Sequence, residues 1–204
     1  MQPAIPFSYP GTNGDMERLA ALLDLALQTI GWMPSPSPSI LNLACGRADE
    51  TGILLERLAP LAHRFFYLGI DLRKPEIQEA RQRWIIQKGS GQELEFRTGD
   101  ASRTDRMNQL PEFDFIFIRH QNFWSDPPLW SRLYRNALAR LKPNGRLTIT
   151  SYFDLEHDLA TACLRQLGAT QLLHLPHPHS RPLRDAQGKS VDRHLAVFAP
   201  DNLY

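Results

Sequence analysis

Only two cysteines, Cys45 and Cys163, occur in 204 residues. That scarcity argues against a disulfide framework, and a reducing, cytoplasmic setting is the expectation. Long apolar runs are missing too. None approaches the roughly 18 residues needed to cross a bilayer, so no membrane partner is expected. The opening residues, Met-Gln-Pro-Ala-Ile-Pro-Phe, lack the charged and apolar regions of a signal peptide. Neither sign of charge dominates: 23 Lys and Arg stand against 22 Asp and Glu, a formal net charge of +1. That balance gives no reason to expect a nucleic-acid partner. No internal repeat at solenoid spacing is found, and the chain is long enough for a single domain, 1–204, with a substantial core.

What is present is an alternation of helical and extended patterns. Asp15 is placed to cap a helix over 16–30, where Leu19, Leu22, Leu23, Ala26 and Ile30 share one face. Residues 1–14 form an N-terminal segment, and Pro/Ser-rich residues 34–39 form a stiff linker that cannot continue the helix. Strands are predicted at 40–44, 65–70, 93–97, 113–118 and 146–151. Helices are predicted at 49–58, 75–87, 129–141 and 155–167, with Lys142-Pro-Asn-Gly as a stop signal. Two last strands, 170–175 and 193–199, flank a Pro- and His-rich loop, 176–192. With no helix between them they should form an antiparallel edge hairpin. The predicted class is α/β, a doubly wound, mostly parallel seven-stranded sheet.

Residues 40–46, Ile-Leu-Asn-Leu-Ala-Cys-Gly, read as a buried strand entering a tight turn at Gly46, followed by a helix. Such a junction brings backbone close to a ligand and offers free N–H groups at the helix start. The second strand ends in Asp71, 25 residues beyond Gly46, where a carboxylate can accept both hydroxyls of a ribose. Together these features point to an adenosine-containing cofactor.

Five segments in order resemble the class I S-adenosylmethionine-dependent methyltransferases, over roughly residues 15–199. Residues 40–46 resemble the family's first motif, which implies cofactor contacts from Asn42, Ala44, Cys45 and Gly46. Residues 68–71, Leu-Gly-Ile-Asp, resemble the second, where Asp71 and the following Leu72 meet the ribose. Residues 96–101, Phe-Arg-Thr-Gly-Asp-Ala, resemble the third, which implies that Asp100 and Ala101 lie at the adenine. Residues 113–120 resemble the fourth strand, whose end, at Arg119 and His120, borders the methyl-transfer cleft. Residues 141–147 resemble the turn into strand 5. The Rossmann-like methyltransferase fold and S-adenosylmethionine as cofactor are what this resemblance implies. The family usually has an acid where this chain has Asn42, and Asp49 or Glu50 just beyond the loop can supply the missing charge. Ala44 and Ala48 stand at places where the fingerprint usually has glycine.

Methyl transfer demands alignment in a dry cleft, and a general base only when the acceptor must lose a proton. His120 is the candidate catalytic base. Gln121, Asn122 and Trp124, with Tyr152 after strand 5, are candidate substrate contacts. Tyr9 is a candidate to fold over the cofactor. His174, His177 and His179 alternate with prolines and read as a surface loop or pocket rim, so no metal is expected. Arg181, Arg184, Lys189 and Arg193 read as a solvated basic loop. The chain has no insertion long enough for a separate recognition domain, which favours a small-molecule acceptor. Two rivals remain. One is a nonenzymatic relative acting as a binding module. The other is a nicotinamide-dependent reductase, which would want a fuller G-x-G-x-x-G and a Tyr-x-x-x-Lys pattern that this chain lacks.

Overall fold

A computed structural model describes residues 10–60, 62–84, 91–107 and 109–201. Seven strands form one sheet: β1 (Ser39–Leu43), β2 (Phe65–Asp71), β3 (Gln92–Thr98), β4 (Phe113–Ile118), β5 (Leu141–Ser151), β6 (Thr170–Pro176) and β7 (His194–Ala199). Their spatial order is β3-β2-β1-β4-β5-β7-β6. Strands β1 to β5 run parallel; β7 pairs antiparallel with both β5 and β6. The fold is thus α/β, with the edge hairpin that the missing crossover helix implies.

Among the described residues five α-helices cover the sheet: α1 (Thr12–Ile30), α2 (Thr51–Leu58), α3 (Lys74–Arg83), α4 (Pro127–Leu138) and α5 (Asp154–Gln166). Alternation along β1 decides which faces which. Leu41 and Leu43 pack into a core with Leu133 and Tyr134 of α4 and Leu164 of α5. Ile40 points to the opposite face, among Leu19 and Leu23 of α1, Leu54 of α2 and Ile77 of α3. Both faces of the central strands are therefore covered, and β1 and β4 are buried at every position, which explains their nearly unbroken apolar sequences. No helix among the described residues is long and apolar enough to cross a membrane.

Three boundaries differ from the sequence-based expectation. Helix α1 starts at Thr12 after Gly11, and Asp15 lies within its first turn with no capping bond. Its carboxylate instead accepts from Arg18 and from Arg181 (Nε to Oδ1, 2.8 Å), which fastens α1 to the loop before β7. Helix α4 starts at Pro127, where the Asp126 side chain accepts from Leu129 N–H at 3.1 Å. The Pro-Asn-Gly after Lys142 does not end a helix; it lies inside β5, next to a register shift between β4 and β5. The predicted end of α3 at 85–87 and Tyr9 fall outside the described residues.

Gly69, in the middle of β2, marks where the sheet packs most closely. A Cβ there would lie 2.6 Å from Phe96 Cδ1 and 3.1 Å from Cys45 Sγ. Gly69→Ala is expected to lower stability by about 1–3 kcal/mol through overpacking. Urea unfolding measures this, and an unchanged midpoint would show that Phe96 yields freely.

Candidate active site

The chain order reverses between β1 and β4, which sit side by side in the sheet with β2 flanking β1. In open α/β sheets the crevice beyond the carboxyl ends at such a point is where ligands bind. A cleft of about 770 Å³ lies there. Its floor is the loop after β1, from Ala44 to Glu50. Asp71, Leu72 and Arg73 line it after β2; Asp100, Ala101 and Ser102 after β3; Arg119 and His120 after β4; Tyr152 after β5. Leu129, Trp130 and Leu133 of α4 close an apolar wall beside Asp100 and Ala101.

The loop after β1 keeps a glycine-like backbone without the glycines. Ala44, Gly46 and Ala48 all have positive φ, at 54°, 55° and 55°. Alanine is strained in this left-handed region by about 1–2 kcal/mol per residue, and such strain concentrates at ligand-binding turns. Gly46 N–H donates to Asp71 Oδ2 at 2.8 Å, so the turn and the end of β2 are locked together. Cys45 is buried beneath the loop; burial, with the Glu50 and Asp71 carboxylates nearby, pushes its thiol up, so it is not a nucleophile.

Asp71 Oδ1 accepts from Arg73 N–H at 2.8 Å and from Arg73 Nε at 3.0 Å, and Oδ2 also faces Nη2 at 3.2 Å. Burial would raise this carboxyl, but the Arg73 and Gly46 donors outweigh it and hold it below its ordinary range. The Arg73 side chain is 59% exposed and also lies 3.3 Å from Glu76 Oε1. Asp100 Oδ1 accepts from Ser102 N–H (2.9 Å) and Oγ (2.7 Å), starting a short 3-10 helix over Ala101–Arg106 while still facing the cleft.

Asn42 does not reach the cleft. It is fully buried on the α2 side of β1, where its amide donates to Glu50 Oε1 and to the Tyr67 hydroxyl (2.9 Å). Like Asp49, Glu50 at the start of α2 lines the cleft. Its other oxygen lies 3.6 Å from Arg119 Nη1. Arg119 is committed elsewhere, donating to Asp192 through Nε (3.0 Å) and Nη2 (2.6 Å). One guanidinium therefore serves two buried carboxylates. Burial raises Glu50 against the pull of Arg119 and Asn42. Asp192 is held well below its usual range, because Arg119 and His120 together outweigh its burial. Burial would lower Arg119, but the same two acids overcome it and keep it charged.

Asp192 also takes the His120 ring, with Nε2 to Oδ1 at 2.8 Å, and the Thr150 hydroxyl at 2.8 Å. His120 has φ 56° and stacks on Tyr152 with ring centroids 3.9 Å apart. Burial lowers its imidazole, with Asp192 opposing. Asp192 was not foreseen from the sequence. It lies in the 176–192 loop, and nothing in Val-Asp-Arg distinguishes it from a turn residue. The three other candidates after β4 fall outside the cleft lining. Gln121 is fully buried and donates to Ser151 Oγ at 2.6 Å. Asn122 is exposed and uses its carbonyl to hold Ser125. Trp124 leans on Phe153 with centroids 4.8 Å apart. The Gln121 amide and the Trp124 indole thus tie this segment to Ser151 and Phe153.

A parallel sheet with this order, an acid ending β2 and a cleft at the reversal define a class I, Rossmann-like methyltransferase fold. A family model described as a methyltransferase domain matches residues 40–145, more than half of the chain, and the chain belongs to that family. Among solved structures it is similar to the N-methyltransferase NodS from Bradyrhizobium japonicum (19% identity, 93% of this chain and 99% of that one, TM-score 0.63). It is similar also to an S-adenosylmethionine-dependent methyltransferase from Clostridium acetobutylicum (11% identity, 91% and 92% covered, TM-score 0.65). A third is a TehB-like SAM-dependent methyltransferase from Corynebacterium glutamicum (19%, 90% and 87%, TM-score 0.59). At these identities the likeness is one of fold. No curated protein matches the sequence significantly.

Glu156 supports Tyr152 from below, its Oε2 accepting Tyr152 N–H at 2.9 Å. Burial pushes its carboxyl up to about 7 from an ordinary 4.5, against the pull of the Tyr152 and Phe153 N–H groups. Above pH 4.5 the unfolded chain releases this proton while the folded chain keeps it, so stability falls as pH rises from 4.5 through about 7. Glu156→Gln should flatten that part of the stability–pH profile; parallel profiles would show that Glu156 titrates normally.

Proposed function

We propose that the chain binds S-adenosylmethionine in this cleft and transfers its methyl group to a small-molecule acceptor. The observation that carries the reading is the pair of acids at one crevice: Asp71, fixed by Gly46 at the end of β2, and Glu50, only partly compensated by Arg119. Two acids lining one crevice suit a cofactor that carries both a ribose and an ammonium.

The residues present fit that group. Asp71 would accept the ribose hydroxyls in place of Arg73, and Asp100, Ala101 and Leu133, which line the cleft, would hold the adenine. Glu50 takes the place of the acid missing at Asn42. A buried carboxyl raised by desolvation welcomes a cation, so binding an ammonium there offsets its cost. Ala44, Cys45 and Gly46 present their backbone at close range, Leu72 covers the ribose side, and Arg119 keeps its charge at the far end. When bound, S-adenosylmethionine supplies a methyl group already activated on a sulfonium for in-line displacement.

The chain's own contribution is then alignment and the exclusion of water. His120 is the candidate base for an acceptor that carries a proton. Asp192 fixes its Nε2, and Nδ1 has no partner among the described residues. Tyr152 holds the ring in place by stacking. Small-molecule sites run to roughly 300–1,000 Å³. A cleft of about 770 Å³ that must also hold the cofactor leaves room for a small acceptor.

Asp71→Ala should weaken S-adenosylhomocysteine binding by about 1–3 kcal/mol, read by calorimetry. Unchanged affinity would remove Asp71 from the site. Transfer of labelled methyl groups to a panel of small amines and hydroxy compounds tests the activity. Intact binding with no transfer across the panel would favour a binding module.

A further inference from the structure

Away from the cleft, the sheet edge gathers three histidines that the proposed function does not use. His157 lies in the first turns of α5, His174 on β6 and His194 on β7. In the hairpin register His174 sits opposite Ala196 and His194 opposite Pro176, so the two imidazoles are diagonal neighbours on the face toward α5. One ring nitrogen from each of the three lies within 4.8 Å of the others. The histidines expected to form a rim are thus split: His174 enters this group, whereas His177 bonds the Asp192 carbonyl at 3.0 Å and His179 takes no part.

We propose that His157 Nε2, His174 Nε2 and His194 Nδ1 form a three-histidine zinc site that fastens β6 and β7 to α5. Three observations carry it. First, His157 is only 2% exposed, yet its Nε2 has no hydrogen-bond partner. A buried imidazole nitrogen left unpaired is costly unless something fills the space beside it. Second, two of the three outer nitrogens are already engaged in the way metal-bound histidines require. His157 Nδ1 lies 2.9 Å from Ser151 Oγ, and His194 Nε2 lies 2.6 Å from Asp154 Oδ1. Protons at those positions leave lone pairs on His157 Nε2 and His194 Nδ1, and the second is a carboxylate–histidine pair of the kind that orients zinc ligands. Third, the spacing is close to that of a metal site. Zinc–nitrogen bonds of about 2.0–2.1 Å in tetrahedral geometry place ligand nitrogens about 3.3 Å apart. His174 Nε2 and His194 Nδ1 are already 3.1 Å apart, and small side-chain rotations bring in His157.

Three neutral imidazoles suit zinc among the divalent metals, and His174 is exposed, which leaves a fourth position for water. The site is independent of the cofactor reading.

The test is calorimetric titration of metal-free protein with zinc chloride, with cobalt(II) as a spectroscopic probe and thermal unfolding with and without zinc. Expected are one zinc per chain at micromolar affinity or tighter, a cobalt spectrum of tetrahedral type and a raised Tm. His174→Ala, an exposed change that spares the fold, should abolish all three. Asp154→Asn should weaken zinc about 10-fold or more. His157→Gln should abolish binding, with circular dichroism checking that it folds. Absence of zinc binding to the native chain, or retention of wild-type affinity in His174→Ala, would overturn the proposal.

Discussion

The cleft depends on a single shared guanidinium. Arg119, at the end of β4, joins Asp192 of the loop before β7 to Glu50 at the start of α2. Through Asp192 it also reaches Thr150 of β5 and His120, and through Glu50 it reaches Asn42 of β1 and the Tyr67 hydroxyl of β2. One buried cation thereby spans the carboxyl ends of four neighbouring strands. Breaking such a pair leaves an uncompensated buried charge, a change that costs about 3–5 kcal/mol in general. Two acids on one base also leave the site short of positive charge, and the shortage faces the cleft at Glu50.

That arrangement accounts for the departure at Asn42. An acid at that place in β1 would lie beside Glu50 in the same buried space, and two carboxylates there would repel. The amide instead donates to Glu50, whose carboxylate at the helix start lines the cleft. Ala44 and Ala48 tell a similar story: the loop retains the left-handed turns of a glycine fingerprint, and the sequence absorbs the strain.

Much of this was legible in the sequence because buried parallel strands have a strong signature. The runs at 40–43, 65–70 and 113–118 are nearly all apolar, and each is followed by a residue that lines the cleft. Gly46, Asp71, Asp100, Arg119, His120 and Tyr152 all come to one crevice because strand ends converge there. Long-range partners were not legible. Asp192 reaches Arg119 across 73 residues, and Arg181 reaches Asp15 across 166. No local pattern announces such a pairing. Gln121 and Trp124 lie outside the cleft lining, and amides and aromatics serve a pocket and a packed turn equally well. His157 went unremarked in α5, since its companions come from a hairpin that only the register brings beside it.

The central claim is that the crevice at the β1/β4 reversal holds an adenosyl cofactor with an amino-acid tail. Calorimetric titration of the native chain with S-adenosylhomocysteine, and in parallel with NADH, tests it most directly. Micromolar binding of S-adenosylhomocysteine and none of NADH is predicted. No binding of S-adenosylhomocysteine, or equal binding of both, would contradict it, because on this reading Asp71 would accept any ribose whereas Glu50 would favour a ligand that brings a cation.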